Sequence, residues 1–529
     1  VAVIVPVYNA ADDVETCIER LARFTPPEVE VVFIDDASPD PAIAGLMRHA
    51  AARPGMRVLT NAQNLGFTRT INRALEEVGR KHAILLNSDA RVTPGWVEGM
   101  LVAAASRPRV ATVTAMSDRA GAFSAPELGN ANTLPPGVDE ITYARAFRRR
   151  SLGLYPVVPT GNGFCMFVNR ACIDEIGALD ADAFPRGYGE ENDFCMRAGR
   201  AGWTNLIDDR TYVFHDRSKS FGDAKTELMA AGRAVVDARY PEYGKAIRVF
   251  TTGADLNLAR FRARQAMADC ASARAGLPAV LFVVATQTGG TPQTNLDLMT
   301  ALADGLDSWL LRCDSRELTL SRLDGTHVRE VRRHRLAEPV DPIRHHSGEY
   351  DAVVRDWIRE IGPEIVHIRH LGWHSLSLPS IAKEQGAAVV FSFHDFYTLC
   401  PTVKLLDGDN LFCGGTCTAT DKVCRAELWD PDSLPPLKNS WVHVWRRLFD
   451  DALRVCDAFV TTSDSARARI LTHLPGIDPD RFHVIPHGRS FTEMLQVRRR
   501  PERGQPLKIL VPGNISVAKG LGVIQALLA

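Results

Sequence analysis

Long hydrophobic runs, a dominant charge sign and a disulfide-type cysteine pattern are all missing from this 529-residue sequence. No uninterrupted apolar stretch reaches the roughly 18 residues of a transmembrane helix, so none is predicted, and no signal peptide is visible. The 62 Lys and Arg stand against 63 Asp and Glu, a net charge of −1. That balance excludes nucleic acid and anionic membrane as bulk electrostatic partners. The 11 cysteines are scattered apart from four between Cys400 and Cys424, which is no secreted framework, and a reducing cytoplasm is the expected compartment. No repeat or low-complexity tract interrupts the chain. The opening "VPVYNAADD" lacks the glycine- and lysine-rich phosphate loop that a nucleotidyltransferase needs near its N-terminus.

What is present is alternation. Apolar content of 45% and charged content of 24% are ordinary for a globular protein, and the length calls for two or three domains. "VAVIVPVY", "EVVFIDD", "RVLTN" and "HAILLNSD" read as strands. Between them, "AADDVETCIERL" sets Val14, Cys17, Ile18 and Leu21 on one helical face, and "FTRTINRALEEV" is a second helix. Strand–helix–strand at this spacing predicts a parallel sheet covered by helices, with ligands at the carboxyl ends of its strands. Asp35, Asp36, Asn87 and Asp89 all fall at such ends. After an arginine-rich helical linker, expected over 246–277, the alternation resumes at "PAVLFVVAT" and continues through "PEIVHIRHL", "AAVVFSFHDF", "CDAFVTTSDSA" and "RFHVIPHG". The chain opens on Val1 inside a strand and stops at Ala529, one helix into a further fold, so a fragment at both ends is expected.

The stretch "GYGEENDFCMRAG" crowds Glu190, Glu191 and Asp193 into four positions. Neighbouring anions and partial burial raise a carboxyl's proton affinity toward what a general base needs. Together with "VAVIVPVYNA", "FIDDAS", "NLGFTRTIN", "LLNSDARVTPGW" and "FHDRSKSFG", in this order, the stretch resembles the family-2 glycosyltransferases of the GT-A fold over residues 1–245. The resemblance implies that Asp89 and His215 hold Mg²⁺ or Mn²⁺ against the donor diphosphate, although Asn87 replaces the first acid of the family's metal motif. It implies a nucleotide wall of Pro6, Val7, Tyr8, Asp35, Asp36, Asn64, Gly66, Asn72, Asn87 and Ser88. Acceptor oxygens there suit a uracil or thymine imide, hence a UDP- or dTDP-sugar. It places the base at Glu191, with Glu190 the alternative; Asp193 would bind acceptor or cap the helix. Gly161, Asn162 and Gly163 of "PTGNGFCMF" would line the acceptor pocket. One base and one face of attack imply an inverting reaction.

"ATQTGGTPQTN", "EIVHIRHLGWHSL", "FSFHDFYTLCPT", "VIPHG" and "LVPGNISVAKGL" resemble family-4 glycosyltransferases of the GT-B fold. Residues 278–505 would be the Rossmann-like N-terminal half, and 506–529 the start of a truncated C-terminal half. Gly289 and Gly290 form a strand-to-helix turn able to hold an anion. His394 and Lys519 match donor-binding positions of that family, and Asn514 stands where a basic residue is often found. Retaining, metal-independent transfer is implied for the intact unit. Cys400, Cys413, Cys417 and Cys424 supply enough thiols for a structural Zn²⁺ site, yet their spacing lacks CxxC knuckles, and reduced or disulfide-paired surface cysteines remain the alternative.

The fold class expected is therefore α/β: a GT-A domain, then half of a GT-B domain. The function expected is a bifunctional glycosyltransferase of surface polysaccharide or O-antigen-type synthesis, with rhamnose as a donor sugar by resemblance. A glycan or lipid-linked glycan would be the acceptor, drawing a cytoplasmic chain to the inner face of the membrane. A non-catalytic nucleotide- or glycan-binding scaffold is the alternative.

Overall fold

The structure, a computed structural model, describes residues 1–128, 132–215, 222–272, 274–285, 289–417, 424–435 and 441–486, with short pieces at 504, 515 and 520–528. The chain divides into two compact units, Val1–Leu277 with Arg359–Glu364, and Pro278–Ile358 with Ile365–Ala529. Among the described residues no helix is long and apolar enough to cross a membrane.

The first unit is built on strands β1 (Ala2–Val7), β2 (Glu30–Asp35), β3 (Met56–Thr60), β4 (Ala83–Leu86), β6 (Val110–Met116), β7 (Val157–Val158), β8 (Cys165–Val168) and β9 (Thr204–Tyr212), ordered β3-β2-β1-β4-β8-β6-β9-β7. β5 (Ala90–Arg91) and β10 (Phe214–His215) make a separate two-stranded ribbon. β1 runs parallel to β2 and β4, and β8 is antiparallel to both β4 and β6. β1, β4 and β6 are almost wholly buried, which is why they read as continuous apolar runs. Helix Ala11–Phe24 buries the expected Val14, Cys17, Ile18 and Leu21. At about 1.5–3 kcal/mol for each large side chain, that stripe docks the helix on the sheet.

The range 246–277, expected as a helical linker, carries the end of helix Tyr243–Thr251 and helix Ala254–Asp269, both in the first unit. Helix Ala254–Asp269 buries Leu256, Ala259, Ala263 and Ala266. Its Arg260 is buried as well, because Ser124 and Ala122 carbonyls accept from the guanidinium at 3.2 and 2.8 Å. An arginine-rich segment thus packs inward by giving its charge to main-chain oxygens.

The second unit holds β11 (Ala279–Val284), β12 (Asp307–Cys313), β13 (Glu317–Asp324), β14 (His327–Arg335), β15 (Ile365–Ile368), β16 (Ala388–Ser392), β17 (Ala458–Thr461) and β18 (Phe482–Val484) in the order β14-β13-β12-β11-β15-β16-β17-β18. All are parallel except the β12–β13–β14 meander. The expected strand at "LKILVPGN" lies outside the described residues.

The turn that presents "EEND" is wedged by helix Gly222–Arg239. A Cβ on Gly232 would lie 1.6 Å from the Tyr188 carbonyl oxygen. Gly→Ala inside a helix ordinarily gains about 1 kcal/mol, whereas forcing a methyl into packed backbone costs about 1–3 kcal/mol. Gly232→Ala is therefore expected to destabilise the chain by up to roughly 2 kcal/mol in a denaturant melt; a higher melting temperature would contradict this packing.

Candidate functional site

Parallel pairing brings the ends of β1, β2 and β4 to one edge of the first sheet, with Val7 in register with Asp35. At that edge Tyr8 is 39% exposed, Asn64 is exposed, and Pro6 and Ser88 are half-buried. Asp35 uses Oδ1 to accept the Ser38 N–H at 3.0 Å. Other members of the expected nucleotide wall are engaged within the protein. Asp36 accepts from Asn61 Nδ2, Leu65 N and Gly66 N at 2.7, 2.8 and 3.0 Å, shaping the loop. Asn72 exchanges two hydrogen bonds with the backbone of Leu179. Gly66, at φ 82°, is required by the Pro185 carbonyl, which would lie 2.4 Å from a Cβ, so protein rather than ligand explains that glycine. Val7 is buried and its carbonyl accepts the Asp36 N–H at 2.9 Å.

The β5–β10 ribbon sets Ala90 opposite His215. It thereby holds His215 Nε2 3.1 Å from Asp89 Oδ1, with Asn87 Nδ2 at 3.3 Å from the same nitrogen. His215 Nδ1 faces the Arg119 carbonyl at 3.1 Å and donates to it, which turns Nε2 toward Asp89. A carboxylate oxygen and an imidazole nitrogen are thus brought to one spot. A hard divalent ion fits this donor set, with Asn87 in place of a second acid. Asp118 was missed by the sequence reading: buried, it accepts the His215 backbone N–H at 2.9 Å, and burial pushes its pKa up. Among the described residues no three His, Cys, Asp or Glu side chains gather as a metal-binding group, so Asp89 and His215 are a two-residue set.

Gly187, Tyr188 and Gly189 have φ of 91°, 66° and 138°, a left-handed run that glycine tolerates and that delivers Glu190 and Glu191 to the start of helix Glu190–Arg200. Glu190 is 4% exposed. Burial, then the charge of Glu191, pushes the Glu190 carboxyl well above the ordinary glutamate range. Burial also raises Glu191, against backbone N–H groups at the helix start that pull it down. Glu190 and Glu191 each keep a buried carboxyl oxygen, Oε2, with no hydrogen-bond partner. Asp193 is elsewhere: fully buried, it accepts from Arg197 Nε, Arg239 and the Tyr240 hydroxyl, each at 2.8 Å. It ties its own helix to the end of helix Gly222–Arg239 and to Tyr240, and its side chain does not cap the helix.

The segment Gly161–Phe164 joins the two carboxylate groups. Gly161 N donates to Cys195 Sγ at 3.2 Å, one turn along the helix from Glu191. Phe164 stacks on His215 with ring centroids 5.1 Å apart and accepts the Asn87 N–H at 2.9 Å. Three residue steps span at most about 11 Å, so the segment links the surroundings of His215 to the helix that carries Glu190 and Glu191. Asn162 N is held by Thr114 Oγ1 at 3.1 Å, and Gly163 borders open space.

In the second unit, Gly289 at φ 109° opens helix Gly290–Ala301 and both glycines are exposed. His394 lines a cavity with Arg369, His370, Ser392 and Asp395. Lys519 and Asn514 lie outside the described residues. Cys400, Cys413, Cys417 and Cys424 are half-buried and form no disulfide, and among the described residues no metal-binding group gathers there. Burial raises the Cys400 thiol, and Cys413 Sγ donates to the Leu405 carbonyl at 3.1 Å.

Residues 2–177 match the model of Glycosyl transferase family 2, and residues 288–491 that of Glycosyltransferase Family 4. The N-acetylglucosaminyl-diphospho-decaprenol L-rhamnosyltransferase of Mycobacterium tuberculosis is 26% identical over 252 residues, covering 43% of this chain and 80% of that protein. The uncharacterized glycosyltransferase YibD of Escherichia coli K12 is 33% identical over 103 residues, 20% of this chain and 30% of that one. Among solved structures, GalNAc-T7 with UDP, GalNAc and Mn²⁺ aligns with TM-score 0.35 at 14% identity, over 50% of this chain and 54% of that chain, about half its length. The mannosyltransferase PcManGT from Pyrobaculum calidifontis, with GDP-Man and Mn²⁺, aligns with TM-score 0.34 at 17% identity, over 57% and 79%.

A carboxyl whose pKa is raised by folding supports stability fully below the ordinary glutamate value, about 4.3, and loses that support as pH climbs through the raised one. Glu190→Gln keeps the shape and removes the titration. It is expected to melt higher than the native chain at pH 8, with the difference closing near pH 4; a difference independent of pH would rule out the coupled pair.

Proposed function

From a chain that is a glycosyltransferase, joining a family 2 domain to a family 4 domain, we infer that the first unit transfers a sugar with inversion from a UDP- or dTDP-sugar to a glycan or lipid-linked glycan. The observation that supports this reading is the Gly161–Phe164 segment, which touches His215 beside Asp89 at one end and the helix bearing Glu190 and Glu191 at the other. Asp89 and His215 would hold Mg²⁺ or Mn²⁺, with Asn87 beside them. When bound, such an ion neutralises the charge of a departing diphosphate. Asp35, Tyr8, Asn64 and Ser88 are the edge residues left to receive the nucleotide. Glu191 takes the proton of the acceptor hydroxyl as that oxygen bonds to the anomeric carbon and the nucleoside diphosphate departs. Burial lifts the basicity of Glu191, while Glu190, the more deeply buried partner, holds its own proton more tightly. The Gly161–Phe164 segment lies where acceptor must pass between the two groups.

The relative that acts on N-acetylglucosaminyl-diphospho-decaprenol favours rhamnose as the sugar and a polyprenyl diphosphate glycan as the acceptor. A membrane-borne acceptor would bring the chain to the cytoplasmic membrane surface, and the product class would be surface polysaccharide. The second unit is read as a donor-binding part of a retaining family 4 transferase, with His394, Gly289, Gly290 and Lys519 toward the donor. Two transferases on one chain could then add successive sugars.

The test offers the purified chain a panel of UDP- and dTDP-sugars and an N-acetylglucosaminyl-diphospho-prenol, with Mn²⁺ or EDTA. Glu191→Gln is expected to lose about 10²–10⁴-fold in transfer rate while still binding nucleotide, and Asp89→Asn to lose the response to metal. Undiminished transfer by Glu191→Gln would remove the base from Glu191.

A further inference from the structure

Strands β6 and β9 lie side by side inside the first sheet. A hydroxyl or an amide buried there is costly unless it is hydrogen-bonded. Both occur: Thr112 on β6 and Asn205 on β9 are buried. The register slips by one residue after Val110, which is paired with Thr204, so that Thr112 falls directly opposite Asn205. Such a bulge re-aims the side chains beside it.

The Thr112 hydroxyl donates to Asn205 Oδ1 at 2.8 Å, which fixes the way the amide faces. Asn205 Nδ2 then donates to two carbonyls, that of Cys195 at 3.1 Å and that of Pro159 at 3.2 Å. Cys195 belongs to the helix that begins with Glu190 and Glu191. Pro159 leads into the Gly161–Phe164 segment. One side chain rooted in the sheet therefore grips both. Mid-helix, the Cys195 carbonyl is already engaged by the helix's own ladder. The bond from Asn205 thus adds nothing to helix formation and instead sets where the helix sits.

Other contacts run in the same direction. The Gly161 N–H donates to Cys195 Sγ at 3.2 Å, and that sulfur lies 3.7 Å from Thr112 Oγ1. Two residues along β6, Thr114 Oγ1 accepts the Asn162 N–H at 3.1 Å. Gly161 is fitted to this seam, since a Cβ there would lie 2.6 Å from Met166 Sδ and 2.8 Å from Thr114 Oγ1.

We propose that Asn205 is a positioning residue for transfer by the first unit: it fixes the segment facing the acceptor substrate against the helix that carries the general base. The two then keep one separation while substrate enters and product leaves. This rests on the reading of Glu191 as the base and of Gly161–Phe164 as the acceptor side.

Asn205→Leu keeps the volume and removes both donated bonds, whereas Thr112→Val removes only the hydroxyl that orients the amide. Hydrogen exchange of the full chain, calorimetry with UDP, and transfer to an N-acetylglucosaminyl-diphospho-prenol test the role together. In Asn205→Leu, amides of 160–164 and of 190–196 are expected to exchange about 10-fold faster and in step, with β1 and β2 unchanged. The kcat/KM for the acceptor substrate should fall about 10- to 100-fold through its KM, with UDP affinity unchanged. Thr112→Val should shift both readouts the same way by less, and Cys195→Ser should retain more transfer than Cys195→Ala. Faster exchange in neither segment or in only one, or UDP affinity falling as far as kcat/KM, would overturn the proposal. Full transfer by Glu191→Gln, with both segments still loosened in Asn205→Leu, would remove the base and leave the clamp. An inactive Glu191→Gln beside an undiminished Asn205→Leu would do the reverse.

Discussion

A ribbon of only two residues per strand holds the first unit's chemistry together. β5 continues directly from Asp89, and β10 ends on His215. Their antiparallel register makes the aspartate and the imidazole face each other, although they are 126 positions apart in the chain. Nothing in the large parallel sheet would do this, because its strands deliver only residues that follow β1, β2 and β4 to the rim. The ribbon is in turn pinned from behind: Asp118 takes the His215 N–H, the Arg119 carbonyl sets the tautomer, and Phe164 covers the ring. Positioning by several weak contacts on different elements keeps a ligand's orientation when any one of them fluctuates.

The glutamate pair works by the opposite principle. Here the fold maintains an unfavourable arrangement, two adjacent buried carboxyls directly after a left-handed turn, and the supporting structure must hold it. That support is visible in Asp193, whose ties to Arg197, Arg239 and Tyr240 fasten the helix bearing the pair. It is visible again in Gly232, which lets a neighbouring helix press on the Tyr188 carbonyl. One acid of the "EEND" run therefore serves rigidity so that the other two can remain strained.

Much of this was legible in the sequence. Continuous apolar runs gave the buried parallel strands, and polar residues at their ends gave the rim, because position along a parallel strand fixes which edge a residue reaches. What periodicity could not separate was acids facing a hollow from acids facing the protein. Asp35 and Asp36 are adjacent, yet one lies at the rim and the other organises the loop through Asn61, Leu65 and Gly66. Likewise Asp193 reads like its neighbours and points away from them. The antiparallel β13–β14 hairpin was missed because "HVREVRRHR" is an edge strand rich in exposed charge, a composition that protects an edge and hides a strand. The helix at Ala254–Asp269 read as a linker because its buried face is mostly alanine, and because Arg260 is paired only with carbonyl oxygens, for which sequence carries no signal.

Both units put polar chemistry at the carboxyl edge of a parallel sheet, but with opposite charge. The first gathers aspartate and glutamate there. The second buries the Arg369 guanidinium, with Asp395 lining the same crevice. Charges held among apolar walls act more strongly in the low dielectric around them. The same edge of the same kind of sheet can therefore carry either sign of charge. The difference rests on which side chain follows the strand: an acid after β4, an arginine after β15.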